Sequence, residues 1–270
     1  GITVTTPSSG NTIKYGTVSG TYGSTTPRTI TDAGNTTVYY QVTTSDGNTK
    51  TGSYTCYMDK ANCPITVKEG STELSSSSVV TLTYPTTKTL TATSSCGNAV
   101  SISSGNQSYV TVSGKTLSPV KVTSSNITMT ASTTASDNFN AASATFLAKV
   151  NRGSCTVSFS NGTLSGTSGT LTYNGSGTTG TFGASRTGNG TLSVASSNEN
   201  AATVSLSNGT VTATWVGAGS GDATASTTIT VSSGQTDQYN ACSKTYTLTT
   251  AKAANTLTLS AASGSVTYPT

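Results

Sequence analysis

The chain has 270 residues, of which 32% are hydrophobic and 8% charged, and 13 basic against 9 acidic side chains leave a net charge of +4. It contains no histidine, which removes the commonest general base, the Ser-His and Cys-His nucleophile pairs and the usual zinc ligand set. No signal peptide is visible and no apolar run approaches the roughly 20 residues a membrane-spanning helix needs, so direct membrane insertion is not expected in this segment.

So few apolar residues would fit disorder, except that disordered chains usually combine high net charge with a lack of patterned β-branched residues. Here Thr and Val alternate with inward-facing apolar positions over many short runs, the period-two signature of half-buried strands. Taken in order, residues 2–6 and 11–18 read as strands, with 21–29 a polar loop. Residues 31–58 predict a hairpin in which Val38, Tyr40 and Val42 share a face, Asp46-Gly47 makes the turn, and Tyr54 and Cys56 return on the partner strand. From 61 to 151, VVTLTYP and KTLTATSS read as early strands, NAVSISS and SYVTVSGKTL as a central pair, and NITMTASTT with ATFLAKV as a closing hairpin. Residues 152–252 repeat the scheme, with Asn208-Gly209 as a hairpin turn.

The order of signals recurs. Closing strands carry Tyr54, Phe146 and Tyr246, separated by 92 and then 100 residues; opening strands begin at Cys63, Cys155 and Asn255, separated by the same two numbers. LTYPT at Leu82, LTYNG at Leu171 and VTYPT at Val266 form a third marker, and DNFNA at Asp137 matches DQYNA at Asp237. Four markers in one order define a tandem array with short joints such as 251–254. Its expected domains are 1–60 (the latter part of one), 61–151, 152–252, and the start of another at 253–270. A period of 92–100 fits a small sandwich of about 100 residues. Short joints without Gly/Ser or Pro runs imply a semi-rigid rod.

Two stretches carry a resemblance. DAG followed by TVYYQV, with a closing strand ending at Lys60-Ala61, is similar to the bacterial immunoglobulin-like repeats (Big- and MBG-type) of large surface proteins. SSNENAATVSLSNGTVTATWVGAGSGDATASTTITVSS, residues 196–233, resembles the same repeats, in which an NGTV turn precedes an AGSGDATATITV strand. The resemblance implies an all-β chain of tandem immunoglobulin-like β-sandwich domains arranged end to end. It implies an extracellular setting, on a bacterial cell surface or on phage fibres and decorations, and a non-catalytic structural or adhesive stalk. Such a stalk would meet host-cell or surface glycans or proteins, or associate with itself into a fibre. Two alternatives stay open: a glycan-binding module, and accessory domains of a larger extracellular enzyme.

Chemistry-bearing residues are sparse. The acids Asp32, Asp46, Asp59, Glu69, Glu73, Asp137, Glu199, Asp222 and Asp237 are scattered, with no calcium-loop spacing and no pair suited to glycoside hydrolysis. No catalytic residue, cofactor or metal is expected. Asp137 and Asp237 offer either oxygens to a calcium ion or an Asx-turn closing the last hairpin, with Phe139 or Tyr239 lidding the core end. The Asx-turn is the preferred reading, because one carboxylate per site supplies too little charge. Trp215, the single tryptophan, is either a sugar-stacking platform or a core residue. Its alternation with Val211 and Ala213 favours the core, and it stands with Tyr239 and Phe139 as a candidate ligand contact. Lys60, Lys149, Arg152 and Lys252 lie near joints; no concentrated basic patch exists, so nucleic acid is not expected, and neither are Lys–Asn cross-links. All five cysteines fall at core-phase positions. The pairs Cys63–Cys96 and Cys155–Cys242 can be drawn, leaving Cys56, but their partners are not equivalent, which favours buried free thiols.

Overall fold

The computed structural model describes residues 4–6, 9–220, 223–255 and 258. The expected opening strand after Asn255, the Val266 motif, Asp222 and the start of the 2–6 run lie outside the described residues. Among these the chain is all-β, with no helix. It divides into two compact units, Gly1–Leu82 with Thr86–Val150, and Thr83–Pro85 with Asn151–Thr270.

The first unit begins with a three-stranded antiparallel sheet of β1 (Thr12–Gly16), β2 (Gly34–Thr43) and β3 (Thr49–Met58), in that order. Val38 is buried and faces Tyr54 across the β2–β3 pair. The connecting turn is one residue wider than the expected two-residue form. The Gly47 N–H bonds the Thr44 carbonyl, the Thr44 N–H bonds the Asn48 carbonyl, and Gly47 adopts φ +83°. This is a type I turn closed by a left-handed glycine, the three-residue hairpin loop. Asp46 sits within it, accepting hydrogen bonds from the Thr44 hydroxyl and the Asn48 side-chain amide. These bonds, Thr44 first, hold its carboxyl below the ordinary carboxylate range. A lowered folded-state pKa means that the contribution is present above the ordinary value and is lost as pH falls through the lowered one. Amide protection factors at the β2–β3 turn, which are corrected for the intrinsic pH dependence of exchange, are therefore expected to fall on acidification, and Asp46→Asn to flatten that dependence.

The same unit continues through β4 (Ile65–Glu69), β5 (Thr72–Glu73), β6 (Val79–Thr83), β7 (Lys88–Thr89), β8 (Thr91–Ser94), β9 (Ser101–Ser104), β10 (Val110–Ser113), β11 (Thr116–Pro119), β12 (Ile127–Thr133) and β13 (Ala142–Asn151). Its sheets run β5-β4-β8, β10-β11-β7 and β6-β13-β12-β9. Only the buried Leu90 separates β7 from β8, so the first two sheets are one layer interrupted at that residue. β9 pairs with β12, while β10 pairs with β11, so the expected central pair is divided between two sheets. Both runs bury one face, through Ile102 and Val110; a period of two states which face is inward and not which sheet receives the strand.

The second unit contains β14 (Val157–Ser160), β15 (Ser168–Thr172), β16 (Thr179–Arg186), β17 (Leu192–Ser196), β18 (Ala202–Ser207), β19 (Thr210–Trp215), β20 (Ala225–Ser233) and β21 (Cys242–Ala251). One sheet is β14-β16-β19-β18 and the other β15-β21-β20-β17, with β15 parallel to β21. Lettered in chain order, these are the ABED and A′GFC sheets of an immunoglobulin-type sandwich, and β4–β13 follow the same order. Asn208 and Gly209 both take positive φ at the β18–β19 turn, as the Asn-Gly pair requires. The core is threonine-flanked and thin: Phe182 stacks on Tyr246 at 4.8 Å and Phe159 meets Phe182 edge-on at 4.8 Å. In the first unit Met129 pairs across from Phe146, both fully buried.

The cysteines depart from the free-thiol expectation. Cys63–Cys96 and Cys155–Cys242 are disulfides, each with Cα atoms 5.4 Å apart, and Cys56 is unpaired and half-buried. Non-equivalent partners are possible because the residue before strand A lies close to two places at once. In the second unit Cys155 lies beside both the end of strand B (Gly188) and the start of strand G (Cys242), while in the first unit Cys63 bonds the cysteine at the end of strand B, Cys96. The registers Ile65↔Ser94 and Val157↔Arg186 put Cys96 and Gly188 at the same place. A Cβ on Gly188 would stand 3.4 Å from the Cys155 sulfur.

Candidate functional site

The most specific polar arrangement lies where the loop between the last two strands of each sandwich meets the segment leading into that sandwich. In the first unit this is loop 134–141 against Lys60-Ala61. Ala61 forms a parallel bridge with Phe139: its N–H donates to the Asn138 carbonyl and its carbonyl accepts from Asn140 N–H, both at 2.9 Å. The Lys60 ammonium donates to the Ser136 carbonyl at 2.7 Å, and the Asn140 side chain donates to the Lys60 carbonyl at 3.1 Å. Asn138 extends the grip to the start of β2, accepting from Ala33 N–H at 2.7 Å and donating to Asp32 at 3.1 Å.

The second unit repeats the device. Gly153 bridges Tyr239, donating to the Gln238 carbonyl at 2.9 Å and accepting from Asn240 N–H at 3.0 Å. Arg152 Nε donates to the Thr236 carbonyl at 2.8 Å, as Lys60 does to Ser136. The loop is closed in both units by an N–H to carbonyl bond, Ser136 to Phe139 at 3.0 Å and Thr236 to Tyr239 at 2.9 Å. In the second, the Thr236 hydroxyl also accepts from Gln238 and Tyr239 N–H and donates to Asn189. The preferred Asx-turn is thus replaced by a turn built on Ser136 and Thr236, with Asp137 and Asp237 exposed at its tip.

Phe139 and Tyr239 sit at matching half-buried positions in the bridges. Tyr239 meets Tyr84 edge-on, with ring centroids 5.2 Å apart. Gly153 is buried beneath them, and a Cβ there would stand 2.2 Å from the Tyr84 carbonyl oxygen. Because that neighbour is backbone, Gly153→Ala is expected to destabilise the second unit by about 1–3 kcal/mol. Faster amide exchange at Asn240 is the check.

Trp215 lies apart from this bridge. It is half-buried at the edge of the second core, 4.7 Å from Tyr173 and tilted at 48° to it, and its indole N–H is buried with no partner among the described residues. Tyr173 is 39% exposed and Val216 46%. The three candidate contacts therefore do not form one site: two are bridge residues and one is a core-edge residue with an exposed aromatic neighbour. The residues missed in the sequence were Lys60 and Arg152 as carbonyl clamps, Ser136 and Thr236, and Tyr84. The recurrence of Lys60 at Arg152 after 92 residues and of Ser136 at Thr236 after 100 was the available signal.

Among the described residues no group of three or more His, Cys, Asp or Glu is placed to hold a metal. Clefts on the N-terminal sheet are lined by Thr, Ser and Tyr with a single cation each, Arg28 in one and Lys50 in another. Neither lining includes a carboxylate. Among the described residues no helix is long and apolar enough to cross a membrane.

No protein-family model matches the chain, and no curated protein does. Among solved structures it is similar to the extracellular cadherin domains 1–4 of protocadherin gamma B7 (13% identity, TM-score 0.31, 81% of this chain and 57% of that one). It is similar also to titin domains Z1Z2 in complex with telethonin (12%, 0.36, 73% and 100%) and to mouse protocadherin-24 EC1–3 (10%, 0.32, 81% and 80%). The chain thus spans little more than half of the protocadherin gamma B7 fragment. The class, a tandem immunoglobulin-type β-sandwich protein, is defined by the strand order in its own sheets.

Proposed function

We propose that the chain is a non-catalytic, extracellular stalk segment that extends and displays a binding region away from a surface. In this reading residues 61–151 and 152–252 are complete immunoglobulin-like domains. Residues 1–60 are the latter part of one and 253–270 the start of another. The observation that carries it is the repeated clamp, Ala61 on Phe139 and Gly153 on Tyr239, each locked by a basic side chain on a loop carbonyl. A device that ties each entering segment to a loop of its own sandwich removes freedom from the joint, which is what a semi-rigid spacer requires. The resemblance to bacterial immunoglobulin-like repeats favours a bacterial surface or a phage particle. The two disulfides favour the bacterial surface, since they persist in oxidising surroundings and a virion assembled in cytosol keeps its thiols reduced.

Small-angle scattering of the full chain is the test. A compact chain of this length has a radius of gyration of about 18 Å; a stalk gives a clearly larger value and a long maximum dimension, and a value near the compact one ends the proposal. A second reading, glycan recognition, is favoured by the exposed Tyr173 beside Trp215. Saturable binding on a glycan array that disappears in Trp215→Ala would establish it.

A further inference from the structure

We infer that the connection between β1 and β2 is a binding loop for a carboxylated sugar, held in the cleft beside Tyr15 with Arg28 on its carboxylate. The inference goes beyond the stalk reading and concerns a place apart from the Trp215 surface. β1 lies beside β2 as β9 lies beside β12 and β17 beside β20. In the two later cases the connecting stretch carries strands, β10 and β11 or β18 and β19, that build the opposite sheet. Residues 17–33 instead hold only isolated bridges, Tyr15 with Ser24 and Val18 with Thr21. A connection of that length without strands of its own is uncommon and is usually functional.

The loop is folded back onto β1. Tyr15 N–H donates to the Ser24 carbonyl at 2.6 Å, and Gly23 N–H donates to the Tyr15 carbonyl at 3.2 Å. The Ser24 hydroxyl accepts from Thr26 N–H at 3.1 Å and donates to the Thr26 carbonyl at 3.2 Å. Gly16 permits the close approach, since a Cβ there would run into the Thr21 carbonyl oxygen. Pro27 then fixes the backbone immediately before Arg28. The result is a cleft of about 510 Å³ whose lining falls wholly within residues 15–29. That volume lies inside the roughly 300–1,000 Å³ of small-molecule sites. The Arg28 guanidinium is the one charge in the lining, and it makes no ion pair or hydrogen bond among the described residues. The side-chain hydroxyls of Thr17, Thr21, Thr26 and Thr29 are unengaged in the same sense. Tyr15 is only 3% exposed, so it offers no open ring face and an apolar ligand finds no wall. The ligand matched to such a cleft is polar, rich in hydroxyls and singly negative. The paired N–H donors of a guanidinium grip a carboxylate bidentately, and threonine hydroxyls both donate to and accept from sugar hydroxyls. A phosphomonoester, with its charge of about −1.5 to −2 at neutral pH, would call for a second cation, and the lining has none.

The test titrates the full chain with trigalacturonate and, separately, with N-acetylneuraminate, following backbone amide chemical shifts. Saturable shifts centred on residues 15–29 are expected with at least one of them, and the tighter binder names the source of the carboxylate. The methyl ester of the same sugar keeps the hydroxyls and removes the charge. That ester on the wild-type chain, and the acid on Arg28→Gln, are each expected to bind at least about tenfold more weakly. Arg28→Lys, which keeps the charge and loses the fork, is expected to fall between. Trp215→Ala is expected to bind as wild type does. Arg28 is exposed, so its variants are expected to fold, and unchanged amide shifts outside the loop verify this. No saturable shift with either acid overturns the inference, as does binding that survives Arg28→Gln or esterification. Shifts centred on Tyr173 and Trp215 overturn it too, and assign the sugar to that surface. Each of these failures leaves the scattering test of the stalk untouched.

Discussion

In the Cys242→Ala variant the second unit is expected to lose about 4.5 kcal/mol of stability, and adding Gly188→Cys to the same chain is expected to recover all but about 1 kcal/mol of it. The disulfide Cys155–Cys242 closes 87 residues, whereas Cys63–Cys96 closes 33. In the chain-entropy account a cross-link stabilises by restricting the unfolded chain, and the benefit grows only with the logarithm of the loop, so a 33-residue loop still supplies about 3.7 kcal/mol. A bridge between Cys155 and a cysteine at 188 would reproduce the 33-residue separation of the first unit. The geometry admits it: the site of a Cβ on Gly188 lies 3.4 Å from the Cys155 sulfur, in ordinary contact with the Tyr239 ring and with no backbone in the way. Urea denaturation with non-reducing peptide mapping reads both halves of the expectation. A double variant that stays reduced, or that forms the new bridge without regaining stability, contradicts it.

Tyr246→Ala is expected to cost the second unit about 3–5 kcal/mol, a large part of the 5–15 kcal/mol that ordinarily separates folded from unfolded domains. Tyr246 is fully buried, stacks on Phe182, meets Phe159 at 6.4 Å, and pairs with Ile229 in the adjoining strand. Removing the ring leaves a void between the two sheets that its packed neighbours close only in part. Tyr246→Phe is expected to cost only about 1 kcal/mol, the worth of its hydrogen bond to the Ser165 carbonyl at 3.3 Å, and Phe146 occupies the matching place in the first unit. Burial also pushes the Tyr246 phenol above its ordinary value. The stability this reflects is present below the ordinary tyrosine range and lost as pH rises through the raised one. Wild-type second-unit stability should therefore fall at strongly alkaline pH more steeply than that of Tyr246→Phe. An alanine variant within 1 kcal/mol of wild type would show that the ring is not the centre of this core.

The clamp changes how the two repeated aspartates are understood. Asp137 and Asp237 drew attention as oxygen ligands or turn-formers, yet the turn is closed by Ser136 and Thr236, and what the loop delivers is a strip of backbone beside Phe139 or Tyr239. The exposed aspartates fit the role of keeping the loop tip solvated while its aromatic flank is covered.

What the sequence by itself determined is the local and periodic part of this protein. Alternation of period two marked the strands, Asn208-Gly209 marked its hairpin, and the 92- and 100-residue spacings placed Phe146 and Tyr246 at one core position, because these signals depend on residues close in the chain or on comparing one repeat with the next. Only the tertiary structure decided which sheet received β9, which of two nearby strand ends supplied the partner for Cys63 and Cys155, and that Lys60 and Arg152 are loop clamps. Each of those outcomes turns on residues between 25 and 87 positions apart meeting within a sandwich. An inward-facing cysteine or a lysine at a joint has the same sequence pattern whichever of its neighbours in space it reaches, so the choice is made by the packing of the sheets.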